Sequence, residues 1–254
     1  MIKTDYPFLI KPDPSLEIWR YISFEKFEAM LQTNSLFFCR ADRFSDPFEG
    51  SLPIREVEFR NNQHTGESGL DNILGFKKTH IGFKRANVIN CWQINNNEND
   101  AMWRLYLKST RGLAIKSNVL SLIKSFDGNS NSFNLSKVRY INYDTDVWYH
   151  PDEYPSEYYN FTTPLVHKRI EFRHETELRI FHHIEEPVNN EAYWNSQPIE
   201  SGKNMVINLQ ELVHEIILTP TADIMVEKEL QQILHKYGFD KPIKKSQLST
   251  NPRF

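Results

Sequence analysis

Cysteine is nearly absent from this chain: of 254 residues, only Cys39 and Cys91 carry a thiol. Both sit in apolar, strand-like runs, which reads as two buried free thiols in a reducing compartment rather than a disulfide framework. Charge of one sign is lacking too. Net charge is −3, with no global basic excess to suggest nonspecific nucleic-acid binding. No apolar run approaches the roughly 20 residues of a spanning helix. The opening MIKTDYPFLIKPDPSLEIW lacks the continuous apolar region and small-residue cleavage site of a signal peptide. A cytoplasmic protein without a membrane partner is expected. No internal repeat and no long linker divides the chain, so residues 1–254 are expected to form a single domain. P-loop, Rossmann fingerprint and Gly-x-Ser-x-Gly elbow are all missing. His167, His174, His182 and His183 match no zinc spacing and have no Cys pair beside them, so no metal site is expected.

What is present is enough for a large core: 39% of residues are hydrophobic and 13% aromatic. The first compact unit runs from Trp19 to Gly50. Phe24, Phe27, Met30 and Leu31 recur at helical spacing, Ser23 stands at an N-cap position, and Asn34-Ser35 ends the helix before the strand Leu36–Cys39. Packing alone does not call for Arg20 on the preceding strand. Nor does it call for Arg40, Asp42, Arg43, Asp46 and Glu49 crowded beside Pro47 and Gly50. That excess of charge reads either as a site on a rigid scaffold or as a solvated loop with local ion pairs.

Residues 1–16, with Pro7, Pro12 and Pro14, read as an extended arm, and 52–86 as a helical insertion covering the site. Strands are expected at Asn87–Trp92, Gly112–Lys116, Val138–Tyr143, Phe172–Phe181, Val206–Asn208 and Glu215–Leu218. Helices are expected at Ala101–Tyr106, from Val119 to Ile123, around 162–170, and after Pro220 with Ile224, Met225, Leu230, Ile233 and Leu234 inward. Residues 127–134 and 144–160 read as loops. Strands and helices mix without a regular βαβ repeat, which argues an α+β fold with a mixed sheet.

Two constellations could carry chemistry. On a strand, Glu175 and Glu177 would share a face, and one carboxyl would be hard to ionise unless a cation pairs with it. Arg173 and Arg179 have the same parity, so a solvent-side ladder of Arg and Glu on an edge strand is the competing reading. Trp103 and Tyr106 are three apart on a helix and could stack a planar ring or fill the core. A metal-dependent nuclease would draw on Asp46, Glu49 and Glu177, but position 179 is Arg where Lys is expected.

Taken together, RYISFEKF, LFFCRADRFSDPFEG, CWQINNNENDAMWRLY, GLAIK and FRHETELRI resemble a bacterial and phage family of unknown function, domain number 2971, over about residues 18–248. The layout is also similar, more distantly, to the ADP-ribosyltransferase superfamily, although no Ser-Thr-Ser triplet follows a strand. That resemblance implies a mixed, mostly antiparallel sheet with flanking helices and a transferase that uses NAD as substrate. ADP-ribose would pass to a protein or nucleic-acid acceptor, or to water, in the setting of bacteria–phage conflict. By motif, Arg20 would hold a phosphate or ribose of NAD, with Tyr21, Ser23 and Arg40 beside it. Trp103 or Tyr106 would stack on nicotinamide. Glu177 would stabilise the oxocarbenium-like cation and Glu175 would activate the acceptor. Asp46, Glu49 and Arg179 would order these groups or meet the acceptor. A non-catalytic nucleotide or nucleic-acid binding module using the same arginines and aromatics is the alternative. Oligomeric state is not legible.

Overall fold

The computed structural model describes residues 1–6, 8–63, 78, 80–107, 109–147, 162–184, 200–250 and 252. The fold is α+β, with a mixed, mostly antiparallel sheet and flanking helices, as the sequence leads one to expect. Strands are β1 (Ile2–Lys3), β2 (Glu17–Ser23), β3 (Ser35–Arg40), β4 (Asn87–Ile94), β5 (Gly112–Asn118), β6 (Phe133–Lys137), β7 (Arg139–Ile141), β8 (His167–Arg169), β9 (Glu177–His183), β10 (Gly202–Val206), β11 (Glu215–Leu218) and β12 (Ile243–Lys245). The α-helices used below are α1 (Phe24–Thr33), α2 (Ile54–Gln63), α3 (Asp100–Tyr106), α4 (Val119–Lys124), α5 (Leu209–Leu212) and α6 (Ile224–Lys236). The main sheet runs β1-β6-β9-β4-β2-β5-β11-β12, with β3 and β10 attached through β4. Among the described residues the parallel pairs are β1–β6, β11–β12 and β7–β8. No helix among them is long and apolar enough to cross a membrane.

Local chemistry accounts for the first unit. The Ser23 side chain accepts from Lys26 N to start α1, and Asn34 ends it at φ 47°, a left-handed position that asparagine tolerates. Phe24, Phe27, Met30 and Leu31 are buried as their spacing requires. They meet Ile18, Ile22, Trp92, Leu113, Ile115, Leu178 and Ile180 from one face of the sheet, forming the main core. The opposite face carries Trp19, Tyr21, Cys91, Gln93, Glu177 and Arg179, because alternation along β2, β4 and β9 sends their odd-numbered residues there.

One strand changes partners partway. β4 pairs with β2 only at Ile18↔Ile94 and Trp19↔Gln93, and with β3 only at Cys39↔Ile89 and Arg40↔Val88. Between these ladders, Asn90, Cys91 and Trp92 have no strand partner on that side, although β9 pairs along the other. The sheet therefore forks at the centre of β4. Side chains fill part of the gap: Asn90 Nδ2 donates to Phe37 O at 2.9 Å, and Trp92 Nε1 donates to Asn90 Oδ1 at 2.8 Å.

Several expectations are corrected. The stretch 162–170 is not a helix. Thr163–Val166 is a single 3-10 turn that runs into the short strand β8. Phe172–Phe181 is not one strand either: Ile170–Glu175 is a second 3-10 turn, Thr176 reverses the chain at φ 42°, and β9 begins only at Glu177. The loop over 127–134 ends earlier than expected, because Phe133 is fully buried and opens β6 against β9. The arm adds an edge strand, β1, on β6. Ile224 and Met225, expected inward, are 58% and 66% exposed; Val226 takes the inward position, because Asp223 caps α6 and sets its rotation. Of the insertion, 54–63 and 80–86 are helical and 64–77 lie outside the described residues; so do 148–161, most of the loop expected over 144–160, and 185–199.

Candidate active site

A cleft of about 620 Å³ opens at the fork. Its walls include Arg20 and Tyr21 of β2, Lys26 of α1, Cys39 of β3, Cys91 and Gln93 of β4, and Tyr106 of α3. Asp46, Glu49, Lys168, Glu175 and Glu177 form its charged end.

The charged end is a buried network. Glu177 and Arg179, two apart on β9, point to one side as alternation demands. Arg179 Nη2 lies 2.8 Å from Glu177 and 2.5 Å from Glu49, and its Nη1 donates to Leu165 O at 2.6 Å. Lys168, carried in by β8, reaches Glu175 at 2.7 Å, Glu49 at 3.0 Å and Glu177 at 3.5 Å. Arg179 is 1% exposed, and the three glutamates are buried. Asp46 binds Arg169 at 3.0 Å and also caps Phe48 N, which fixes the loop carrying Glu49. Three carboxylates thus share two cations, and charges taken out of water are tolerated only in such pairs.

The two strand-adjacent glutamates are split in acidity. Burial would raise Glu177, but Arg179 and Lys168 outweigh burial and hold it down to about 2. Glu175 touches Lys168 alone, and there burial wins, leaving its pKa raised above the ordinary carboxylate value. Lys168 is raised because Glu177 and Glu49 overcome the effect of burial. The two neighbouring carboxyls are therefore shifted in opposite directions, Glu177 towards its ionised form and Glu175 towards its protonated form.

At the fork, Arg20 Nη1 donates to Cys91 O at 3.0 Å, a carbonyl that β2 does not reach, and its guanidinium lies over the Trp92 ring at 5.9 Å. No carboxylate pairs with Arg20 among the described residues, so its charge is available to an anion in the cleft.

The sequence-predicted residues divide. Glu175, Glu177, Arg20, Tyr21, Tyr106, Asp46 and Glu49 line the cleft, and Arg179 braces Glu177 from behind. The edge-strand ladder is overturned: β9 lies between β4 and β6, and Glu177 and Arg179 are buried. Ser23 is spent as the cap of α1. Arg40 grips Asp42 through two nitrogens and the Glu200 carbonyl at 2.6 Å, which ties down the end of β3. Trp103 is 3% exposed, packs edge-on against Tyr21 at 4.8 Å and donates to Glu98, so it is core. Tyr106, its neighbour one turn on, is 52% exposed. The carboxylates wanted by a nuclease are each ion-paired, Asp46 with Arg169, and Glu49 and Glu177 with both Lys168 and Arg179. Among the described residues no cluster of ligating side chains has metal-site geometry.

Sequence reasoning missed Lys168 and Gln93. Lys168 lies in the stretch misread as a helix, and no local signal marks a lysine as buried. Gln93 follows Trp92 in a strand where a lone amide has no pattern.

No family model and no curated protein matches the chain, so its resemblance to domain family 2971 has no matching model behind it. Solved structures similar to it include Thermus sp. 2.9 DarT in complex with NAD+, at 9% identity and TM-score 0.41, covering 93% of this chain and 97% of that one. The same protein in complex with carba-NAD+ gives 9% and 0.40 over the same shares. In complex with ADP-ribosylated ssDNA it gives 10% and 0.39, over 92% and 94%.

Proposed function

We propose that this chain is an ADP-ribosyltransferase-like enzyme. It would cleave the nicotinamide–ribose bond of NAD and pass ADP-ribose to a protein or nucleic-acid acceptor, or to water. The observation that carries this reading is the combination, in one cleft, of a carboxylate held ionised at Glu177 and an unneutralised guanidinium at Arg20. The phage-conflict setting rests on the motif resemblance alone.

The chemistry matches that pair. When the glycosidic bond breaks, its electrons leave with the nicotinamide nitrogen and positive charge builds on the ribose. A carboxylate fixed beside that carbon stabilises the charge without having to reorganise. Glu177 supplies it, and Lys168 and Arg179 keep it both ionised and in place. Arg20 takes the diphosphate or a ribose hydroxyl through its planar fork. Glu175 accepts the proton released by the attacking group. Tyr106, open on the cleft wall, offers a ring face to the nicotinamide.

The test is nicotinamide release from NAD by the purified protein, with and without cell lysate, beside Glu177→Gln. Release by the wild type and its loss in the variant support the reading. A lysate requirement identifies transfer rather than hydrolysis. No release with no NAD binding sinks it. NAD binding without turnover, unchanged in Glu177→Gln, identifies a binding module instead.

A further inference from the structure

Gln93 stands out because, among the described residues, nothing takes up its side-chain polar atoms. Its side chain is 2% exposed, it lines the cleft, and neither Oε1 nor Nε2 has a hydrogen-bond partner among them. Buried amides are almost always satisfied, so a fully orphaned one needs a reason. Its register sharpens the point. Gln93 lies directly across from Glu177 on one side and from Trp19 on the other. Its neighbours' polar groups are committed elsewhere. Trp19 Nε1 donates to Asn95 O, the Tyr21 hydroxyl accepts from Asn99 N, and the ion pairs of Glu177 go to Arg179 and Lys168.

We propose that Gln93 is a specificity-determining residue whose carboxamide pairs with a complementary amide edge, a donor beside an acceptor, on a ring held next to Glu177. A carboxamide matches such an edge with two hydrogen bonds and is left unpaired by a ring that lacks it. Two sources carry that edge: the carboxamide of nicotinamide, and the lactam of a pyrimidine base in an acceptor. The assignment deepens the NAD reading of the cleft and rests on it for what the ring is doing there.

The wild-type chain and Gln93→Met, an apolar side chain of similar length, are titrated calorimetrically with nicotinamide, nicotinate and thymidine, and their melting temperatures and NAD turnover are measured. The wild type is expected to prefer at least one amide-edged probe over nicotinate by about tenfold, the factor for one net hydrogen bond, and Gln93→Met to lose that preference. Preference for nicotinamide assigns the leaving ring; preference for thymidine assigns the acceptor. The variant is expected to melt at the wild-type temperature or higher, because an unpaired buried amide costs the free protein stability. A purely structural glutamine would instead melt lower with affinities unchanged. That outcome overturns the proposal, as does amide-probe binding that is the same in both proteins, or failure of both amide probes to bind the wild type. If the amide preference holds and depends on Gln93 while NAD is neither bound nor cleaved, the NAD reading fails and the role of Gln93 stands.

Discussion

The Lys168 ammonium sits 2.7 Å from the Glu175 carboxylate and reaches Glu49 and Glu177 from the same position. Removing it leaves Glu175 without a cation and Glu49 and Glu177 facing Arg179 alone. Lys168→Met is expected to destabilise the fold by about 3–5 kcal/mol, since breaking a buried pair strands its partner. The urea midpoint measures this, and a change near zero would show that the network is not held by Lys168.

Acidity makes opposite demands of the two glutamates. Glu177 is depressed from 4.5 to about 2, so its contribution is present above 4.5 and is lost as pH falls from there towards 2. Glu175 is raised, so its ionisation opposes folding as pH rises from 4.5 through its folded value. Urea midpoints plotted against pH should fall on the acid side for the wild type, and Glu177→Gln should flatten that limb. Glu175→Gln should keep it and lose the opposing slope above 4.5.

In turnover, Glu175 should set the acid limb of nicotinamide release to an acceptor. Its raised pKa places the midpoint above the ordinary carboxylate value, and the rate rises as Glu175 ionises. Glu175→Gln should remove that dependence. Glu177→Gln should lower the maximal rate at least about a hundredfold at every pH, with KM for NAD little changed.

Arg20→Met should raise KM for NAD about ten- to a hundredfold, the range for losing a charge-assisted hydrogen bond. Arg20→Lys keeps the charge but not the fork and should fall between. A wild-type KM in both variants would mean that the anion is held elsewhere.

Trp103→Leu and Ser23→Ala test the corrected assignments. The first opens a core beside Tyr21 and should cost about 3 kcal/mol, and the second removes a helix cap worth about 1 kcal/mol. Neither should shift KM for NAD, which a ligand-stacking Trp103 would.

Much of this architecture was legible in the sequence. Ser23, the apolar spacing of α1 and Asn34 specify the strand–helix–strand unit locally, and the strand periods of β4 and β5 are strong. The errors cluster where the chain reverses within a few residues. Thr176 in a left-handed turn cuts the apparent strand 172–181 in two, and nothing in a β-branched residue announces positive φ. Glu175 and Glu177 were singled out through an alternation that does not join them, since only Glu177 is on β9; Lys168 brings them together instead. Long-range pairing of this kind, like the fork that lets Arg20 reach the Cys91 carbonyl, depends on tertiary contacts that no local pattern encodes.

The fork also makes the sheet mechanically uneven. Strands β2, β5, β11 and β12 are joined to β4, β9, β6 and β1 by two residue pairs, Ile18↔Ile94 and Trp19↔Gln93. The cleft lies along that short ladder, with Arg20 on one leaf and Glu177 on the other. A ligand touching both would act as a splint, tying together two half-sheets that share only that short ladder.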